Sequence, residues 1–225
     1  MMKIGGLFCA AAMLVGSSAV VSLASDDLRS DFKRPGEIPF PDENPFSEAK
    51  AYLGKVLFFD PRLSGDDTMS CATCHNPSFG WEDGLALGKG MNGNMLGRHS
   101  QTIFDLAWGE LFFWDGRAET LEEQALGPID NGEEMNQRFP ELLQELNLIE
   151  GYKPLLRSAF NTDTFNREII GEAIATFERT IVSPRTAFDN WVDGDEAAIS
   201  ASAKRGFQLF TDKANCVECH SGWAF

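Results

Sequence analysis

Two short runs, Cys71-Ala-Thr-Cys74-His75 and Cys216-Val-Glu-Cys219-His220, hold the residues of this chain best suited to shared chemistry. C-x-x-C-H is the attachment signature of c-type haem: one helical turn offers two thiols to the two vinyl groups of a porphyrin, and the next histidine binds iron. The same residue types could also make a zinc site or a thioredoxin-like dithiol. Zinc needs four ligands from a cysteine and histidine pool that the two runs already consume. A redox dithiol has no use for a neighbouring histidine in both copies. The residues therefore predict two covalent haems, held by Cys71, Cys74, Cys216 and Cys219, with His75 and His220 as iron ligands.

The rest of the cysteine inventory agrees. Lys3, the apolar run from Ile4 to Val15 and the small residues Ser22-Leu-Ala24 read as a signal peptide cleaved after Ala24. A membrane anchor is the weaker reading, since the run is short, is interrupted by Gly16, Ser17 and Ser18, and has no basic stop beyond it. Cleavage removes Cys9 and leaves every cysteine in a haem run, so no structural disulfide is expected. Export to the periplasm fits c-type attachment, which occurs on the far side of the bacterial cytoplasmic membrane. Nineteen Lys and Arg against 34 Asp and Glu give a net charge of −15. That charge argues against a nucleic-acid partner; it is compatible with electrostatic steering of a basic redox protein and equally with the solubility of a secreted one.

Elements must bring these groups together. Residues 25–44 are polar, with Pro35, Pro39 and Pro41, and read as an extended lead-in. Asn44 is placed to cap a first helix, with Ala49, Leu53, Val56 and Leu57 at helical spacing until Asp60-Pro61. A glycine-rich loop follows the first run. Thr120-Leu-Glu-Glu123 reads as a capping box, opening a short helix that Gly127-Pro128 closes. Further helices are expected over 140–149 and 167–182, the latter with Ile170, Ile174, Phe177 and Ile181 on one stripe, and from Ser200 into the second run. No stretch alternates with period two. The expected fold is mainly α: a signal peptide at 1–24, a haem domain at 25–184 and a second haem domain at 185–225.

Several separated blocks then carry a resemblance. Leu53-Gly-Lys-Val-Leu-Phe-Phe-Asp-Pro-Arg-Leu-Ser64, Phe113-Trp-Asp-Gly-Arg-Ala118, Glu123-Gln-Ala-Leu-Gly-Pro-Ile129, Ala175-Thr-Phe-Glu-Arg-Thr180 and Gly206-Phe-Gln-Leu-Phe210 occur in this order around the two haem runs. In this the chain resembles the bacterial di-haem cytochrome c peroxidases, a family that includes MauG-type enzymes. The resemblance implies two cytochrome c-like domains, with a peroxidatic haem on His75 and an electron-accepting haem on His220. It implies reduction of hydrogen peroxide with electrons from a small donor such as a cytochrome c or cupredoxin. A MauG-like oxidase and a plain electron carrier are the rival readings. Trp114 stands where the family keeps a tryptophan between the haems. Gln124 and Glu134, ten and twenty positions on, match the residues that line the peroxide side. From composition alone, Trp114 reads as a buried aromatic and Glu134 as a surface charge. Arg117, beside Asp115, reads as a structural ion pair or a haem propionate contact. A homodimer is also admitted by the resemblance.

Three departures shape the expectations. The glycine-rich loop carries Met91 where many members have a displaceable histidine, so a resting first haem open to peroxide is expected. His99 replaces an asparagine that binds an inter-haem calcium in the family; oxygen suits calcium better than imidazole, and calcium is assigned to no residue. The chain also stops five residues after His220, where members continue and supply that haem's other ligand. The expectation is a C-terminally truncated record of a longer protein.

Overall fold

The computed structural model describes residues 28–224, so the expected signal peptide lies outside the described residues. The described residues form helices and irregular chain. Among them no strand occurs, only isolated bridges pairing Asn76 with Glu82, Lys89 with Met95 and Phe112 with Ala118. None of their helices is long and apolar enough to cross a membrane. They divide into two compact units, residues 35–184 and residues 28–34 with 185–224.

In the larger unit α1 (Glu48–Phe58), α2 (Cys71–Cys74), α3 (Leu121–Asp130), α4 (Phe139–Asn147), α5 (Lys153–Phe160) and α6 (Arg167–Arg179) follow one another. The apolar stripes of α1 and α6 make the centre: Leu53, Leu57 and Phe58 bury with Ile170, Ala173 and Ile174. Each large side chain there contributes about 1.5–3 kcal/mol relative to exposure. Gly54 lets the two helices close on each other, since a Cβ there would lie 1.8 Å from the Ala173 carbonyl oxygen.

Local expectations fail where tertiary bonds outweigh them. Ser47, rather than Asn44, caps α1 by accepting the Lys50 N–H at 3.1 Å. Asn44 is buried and gives its amide to Glu122 Oε1 at 2.7 Å and to the Glu172 carbonyl at 3.0 Å, tying the chain ahead of α1 to α3 and α6. Helix α3 does not close at Gly127-Pro128 but runs to Asp130 with Pro128 inside. Proline removes one helical hydrogen bond, and the burial of Leu121, Ala125 and Ile129 along one face offsets that cost. α6 stops at Arg179, short of the expected Val182. α5 was not expected at all.

The smaller unit holds α7 (Ala187–Val192), also unexpected, and the expected α8 (Ala201–Thr211), which Ser200 caps by accepting the Ala203 N–H at 3.1 Å. The lead-in is not merely extended. Phe32 is 1% exposed and meets Phe188, Phe207 and Phe210 edge-on, with ring centroids 6.3, 5.2 and 6.3 Å away. That aromatic cluster draws residues 28–34 into the unit of 185–224 instead of the one that follows them in sequence.

Candidate active site

The first C-x-x-C-H run is a single helical turn, α2. The Thr73 hydroxyl accepts the Ser70 N–H at 3.0 Å at its start, and the His75 N–H reaches the Cys71 carbonyl at 2.9 Å at its end. The turn sets Cys71, Cys74 and His75 on the wall of a cavity of about 400 Å³. Burial raises both thiols, Cys74 to about 11 and Cys71 further. His75 Nδ1 lies 3.3 Å from the Trp81 carbonyl, an acceptor that suits a proton on Nδ1. Burial holds the imidazole below its ordinary pKa. A neutral imidazole oriented by a backbone acceptor is the form that ligates a metal. Trp81 is itself fixed by packing, 5.9 Å from Phe58 and 6.3 Å from Phe177 between ring centroids. The α1–α6 core thus sets the orientation of the His75 ring.

Gln124 and Glu134 line the same cavity. Gln124 comes from α3. Glu134 comes from the segment after it, which doubles back along the last helical turn: the Met135 N–H reaches the Pro128 carbonyl at 3.1 Å and the Gln137 N–H reaches Ile129 at 2.8 Å. Glu134 is half-buried, with Oε1 accepting from Asn131 Nδ2 at 3.0 Å. Burial raises its carboxyl above the ordinary value, against a smaller pull from Arg117. The surface-charge reading of Glu134 is therefore corrected. The glycine-rich loop braces the segment, the Met91 N–H bonding the Glu134 carbonyl at 2.7 Å.

Trp114 lines the cavity too, in a tight loop closed by the Phe112–Ala118 bridge. It is not the buried aromatic that composition suggests: it is 57% exposed, with Nε1 donating to the His99 carbonyl at 2.8 Å. Asp115 takes Arg98 at 2.9 Å and Arg117 at 2.8 Å, and the Arg117 guanidinium lies 3.5 Å over the Phe113 ring. Both ring nitrogens of His99 are engaged, Nδ1 with the Leu85 carbonyl and Nε2 with Glu82, each at 2.6 Å. The carbonyl bond, with Glu82, raises its pKa and favours the charged ring. No cluster of three or more His, Cys, Asp or Glu that could hold a metal ion occurs among the described residues.

The second run lies in the smaller unit. Cys216–Glu218 is a single 3-10 turn, and the His220 N–H returns to the Cys216 carbonyl at 2.9 Å, as in the first run. Cys219 and His220 are exposed. One cavity residue was not singled out from the sequence. Glu178 on α6 is 4% exposed, and its Oε2 has no hydrogen-bond partner among the described residues. Its signal was a carboxylate four residues after Ile174 on an otherwise apolar stripe.

These residues fit a covalently held haem: two thiols one helical turn apart, a neutral imidazole beside them, and a half-open cavity carrying an unsatisfied polar atom. Comparison with known proteins agrees. A family model described as di-haem cytochrome c peroxidase matches residues 48–197. The chain is 44% identical over 229 residues to the methylamine utilization protein MauG of Methylorubrum extorquens, an alignment covering 100% of this chain and 65% of that protein. It is 38% identical over 203 residues to the cytochrome c peroxidase Ccp of Escherichia coli K12, covering 88% of this chain and 43% of that protein. The crystal structure of a MauG-like protein associated with microbial copper homeostasis superposes with a TM-score of 0.76 at 31% identity, covering 83% of this chain and 57% of that one. The chain spans about half to two thirds of the length of the curated relatives it matches.

Proposed function

The chain belongs to the di-haem cytochrome c peroxidase family, whose members bind two covalent haem c groups, and on that premise we propose that it is a periplasmic peroxidase reducing hydrogen peroxide to water. The observation that carries the reading is the cavity itself, which joins Cys71, Cys74 and His75 to Gln124 and Glu134. In the overall reaction hydrogen peroxide takes up two electrons and two protons and becomes two waters. The electrons come from a small redox protein, a cytochrome c or cupredoxin. Haem bound at His75 supplies the redox-active iron. His75 would ligate that iron, and Cys71 and Cys74 would hold the porphyrin covalently.

Glu134 handles the proton. Breaking the O–O bond requires a proton to leave one peroxide oxygen and arrive on the other, and a carboxyl group shuttles best when its pKa approaches the operating pH. Burial moves Glu134 in that direction, while Asn131 holds one of its oxygens in place. The Gln124 amide can both donate and accept, which suits it to orient the peroxide. Trp114 is assigned to electron passage from the haem on His220 toward the His75 site.

A second reading, a MauG-like oxidase acting on a protein or other substrate, draws support from the 44% identity to a MauG protein. Steady-state peroxide consumption by the haem-loaded full chain, with a reduced small cytochrome or cupredoxin present, separates the readings. Two donor electrons oxidised per peroxide consumed, with a loss of about 10²–10⁴-fold in Glu134→Gln, is the expected result. Peroxide consumption that leaves the donor reduced but modifies an added protein points to the oxidase. No peroxide consumption at all leaves the electron carrier and overturns the proposal.

A further inference from the structure

Glu178 is an acid where the pattern of α6 asks for an apolar side chain. It shares the buried face with Ile170 and Ile174, and it lines the same cavity as Cys71 and His75. The cation beside it in sequence is already engaged: Arg179 gives Nη1 and Nη2 to the two carboxylate oxygens of Glu122, at 2.6 and 3.0 Å. Glu122 also takes Asn44 Nδ2 at 2.7 Å. The charged and titratable groups around Glu178 are thus Arg179 on α6, Glu122 on α3 and the Cys71 thiol on α2, whose ionisation the Glu178 carboxyl opposes. Burial pushes Glu178 up to about 8, against a smaller pull from Arg179, so the acid keeps its proton at neutral pH. A buried polar atom left without a partner is costly, and natural proteins keep few of them.

A protonated carboxyl group is a hydrogen-bond donor. Haem brings oxygen acceptors with it, its two propionates and the water held against them. We propose that Glu178 is a positioning residue of the first haem site, giving its O–H to an oxygen acceptor, a haem propionate or a water beside the porphyrin, that enters the cavity with the cofactor. The proposal rests on the His75 site holding a haem. The visible spectrum of a c-type haem checks that reading independently of Glu178.

The test uses the haem-loaded full chain as wild type, Glu178→Gln, which keeps a donor but cannot titrate, and Glu178→Leu, which has none. In wild type an infrared carbonyl band of a protonated carboxyl group is expected near neutral pH, shifting in D₂O and lost in Glu178→Gln. The reduction potential of the haem on His75 should fall as pH rises through about 8, where Glu178 gains a negative charge in the cavity wall, and should stay level over that window in Glu178→Gln. Glu178→Leu assigns the acceptor. A shifted propionate bending mode in the resonance Raman spectrum identifies a propionate, and an unmoved mode with an altered potential identifies water. Absence of the infrared band, or potentials of both variants identical to wild type at every pH, overturns the proposal. Should Glu178→Leu fail to fold, the band and the pH profile of Glu178→Gln still decide it.

Discussion

Replacing Gly90 with alanine tests whether Glu134 works by position. Gly90 has an ordinary extended backbone, φ −87° and ψ −175°, so alanine suffers no conformational penalty there. The added Cβ would instead lie 1.7 Å from the Glu133 carbonyl oxygen and 3.3 Å from Glu134 Cα. The two backbones must part by roughly 1.5 Å to restore ordinary contact. That separation breaks the 2.7 Å bond from the Met91 N–H to the Glu134 carbonyl and draws the acid away from the cavity. Displacement of a catalytic group by about 1 Å costs on the order of 10²-fold in rate, or about 2.7 kcal/mol of transition-state stabilisation. The expected result is therefore a roughly hundredfold loss in kcat/KM for peroxide, with the haem spectrum retained and at most about 1–3 kcal/mol lost in denaturant unfolding. Gly36→Ala is the control, because a Cβ there meets nothing within 4 Å and the residue stands outside the cavity wall. A Gly90→Ala protein with wild-type turnover, or a Gly36→Ala protein equally impaired, would refute the argument that this backbone contact places Glu134.

Other consequences follow from the buried polar groups. Arg179→Met strands Glu122, whose side chain is only 21% exposed, and should cost about 3 kcal/mol in chemical denaturation; pairing it with Glu122→Gln should recover much of that, and a single-variant loss under about 1 kcal/mol would count against a working ion pair. Glu178 binds a proton in the native chain up to about pH 8, while its ordinary value is 4.5, so the native state holds more protons than the unfolded chain between those limits. Stability contributed through this group therefore falls as pH rises across that window, and Glu178→Gln should gain in melting temperature at pH 8 relative to wild type but not at pH 4; equal shifts at both pH values would contradict the assignment. With His99 fastened at both ring nitrogens to Glu82 and Leu85, the resting haem on His75 should give a high-spin ferric spectrum, and a wholly low-spin spectrum would show that another side chain reaches the iron.

The parts of this molecule that sequence reveals are those whose physics is local. Two thiols one turn apart with a histidine after them can be read as a haem attachment from the run itself, and the Leu53–Leu57 and Ile170–Ile174 stripes announce their helices by spacing alone. Convergence is different. Gln124 and Glu134 meet at one cavity because α3 passes through Pro128 and the following segment returns along it, with Met135 and Gln137 bonding to carbonyls of the turn they have just left. A reading by propensity stops the helix at Gly127-Pro128 and so loses the geometry that the ten-residue interval between the two side chains requires. Asn44 and Phe32 went astray for the same reason. One surrenders a helix cap to bond Glu122 and Glu172, and the other leaves a polar lead-in to fill an aromatic cluster with residues more than 150 positions away in sequence. Glu178 was in plain view, yet an acid on an apolar stripe acquires meaning only when its one adjacent cation is seen bound elsewhere. In this fold, then, local pattern marks where haem is attached, and tertiary contacts decide which acids at the cavity wall are driven toward their protonated form.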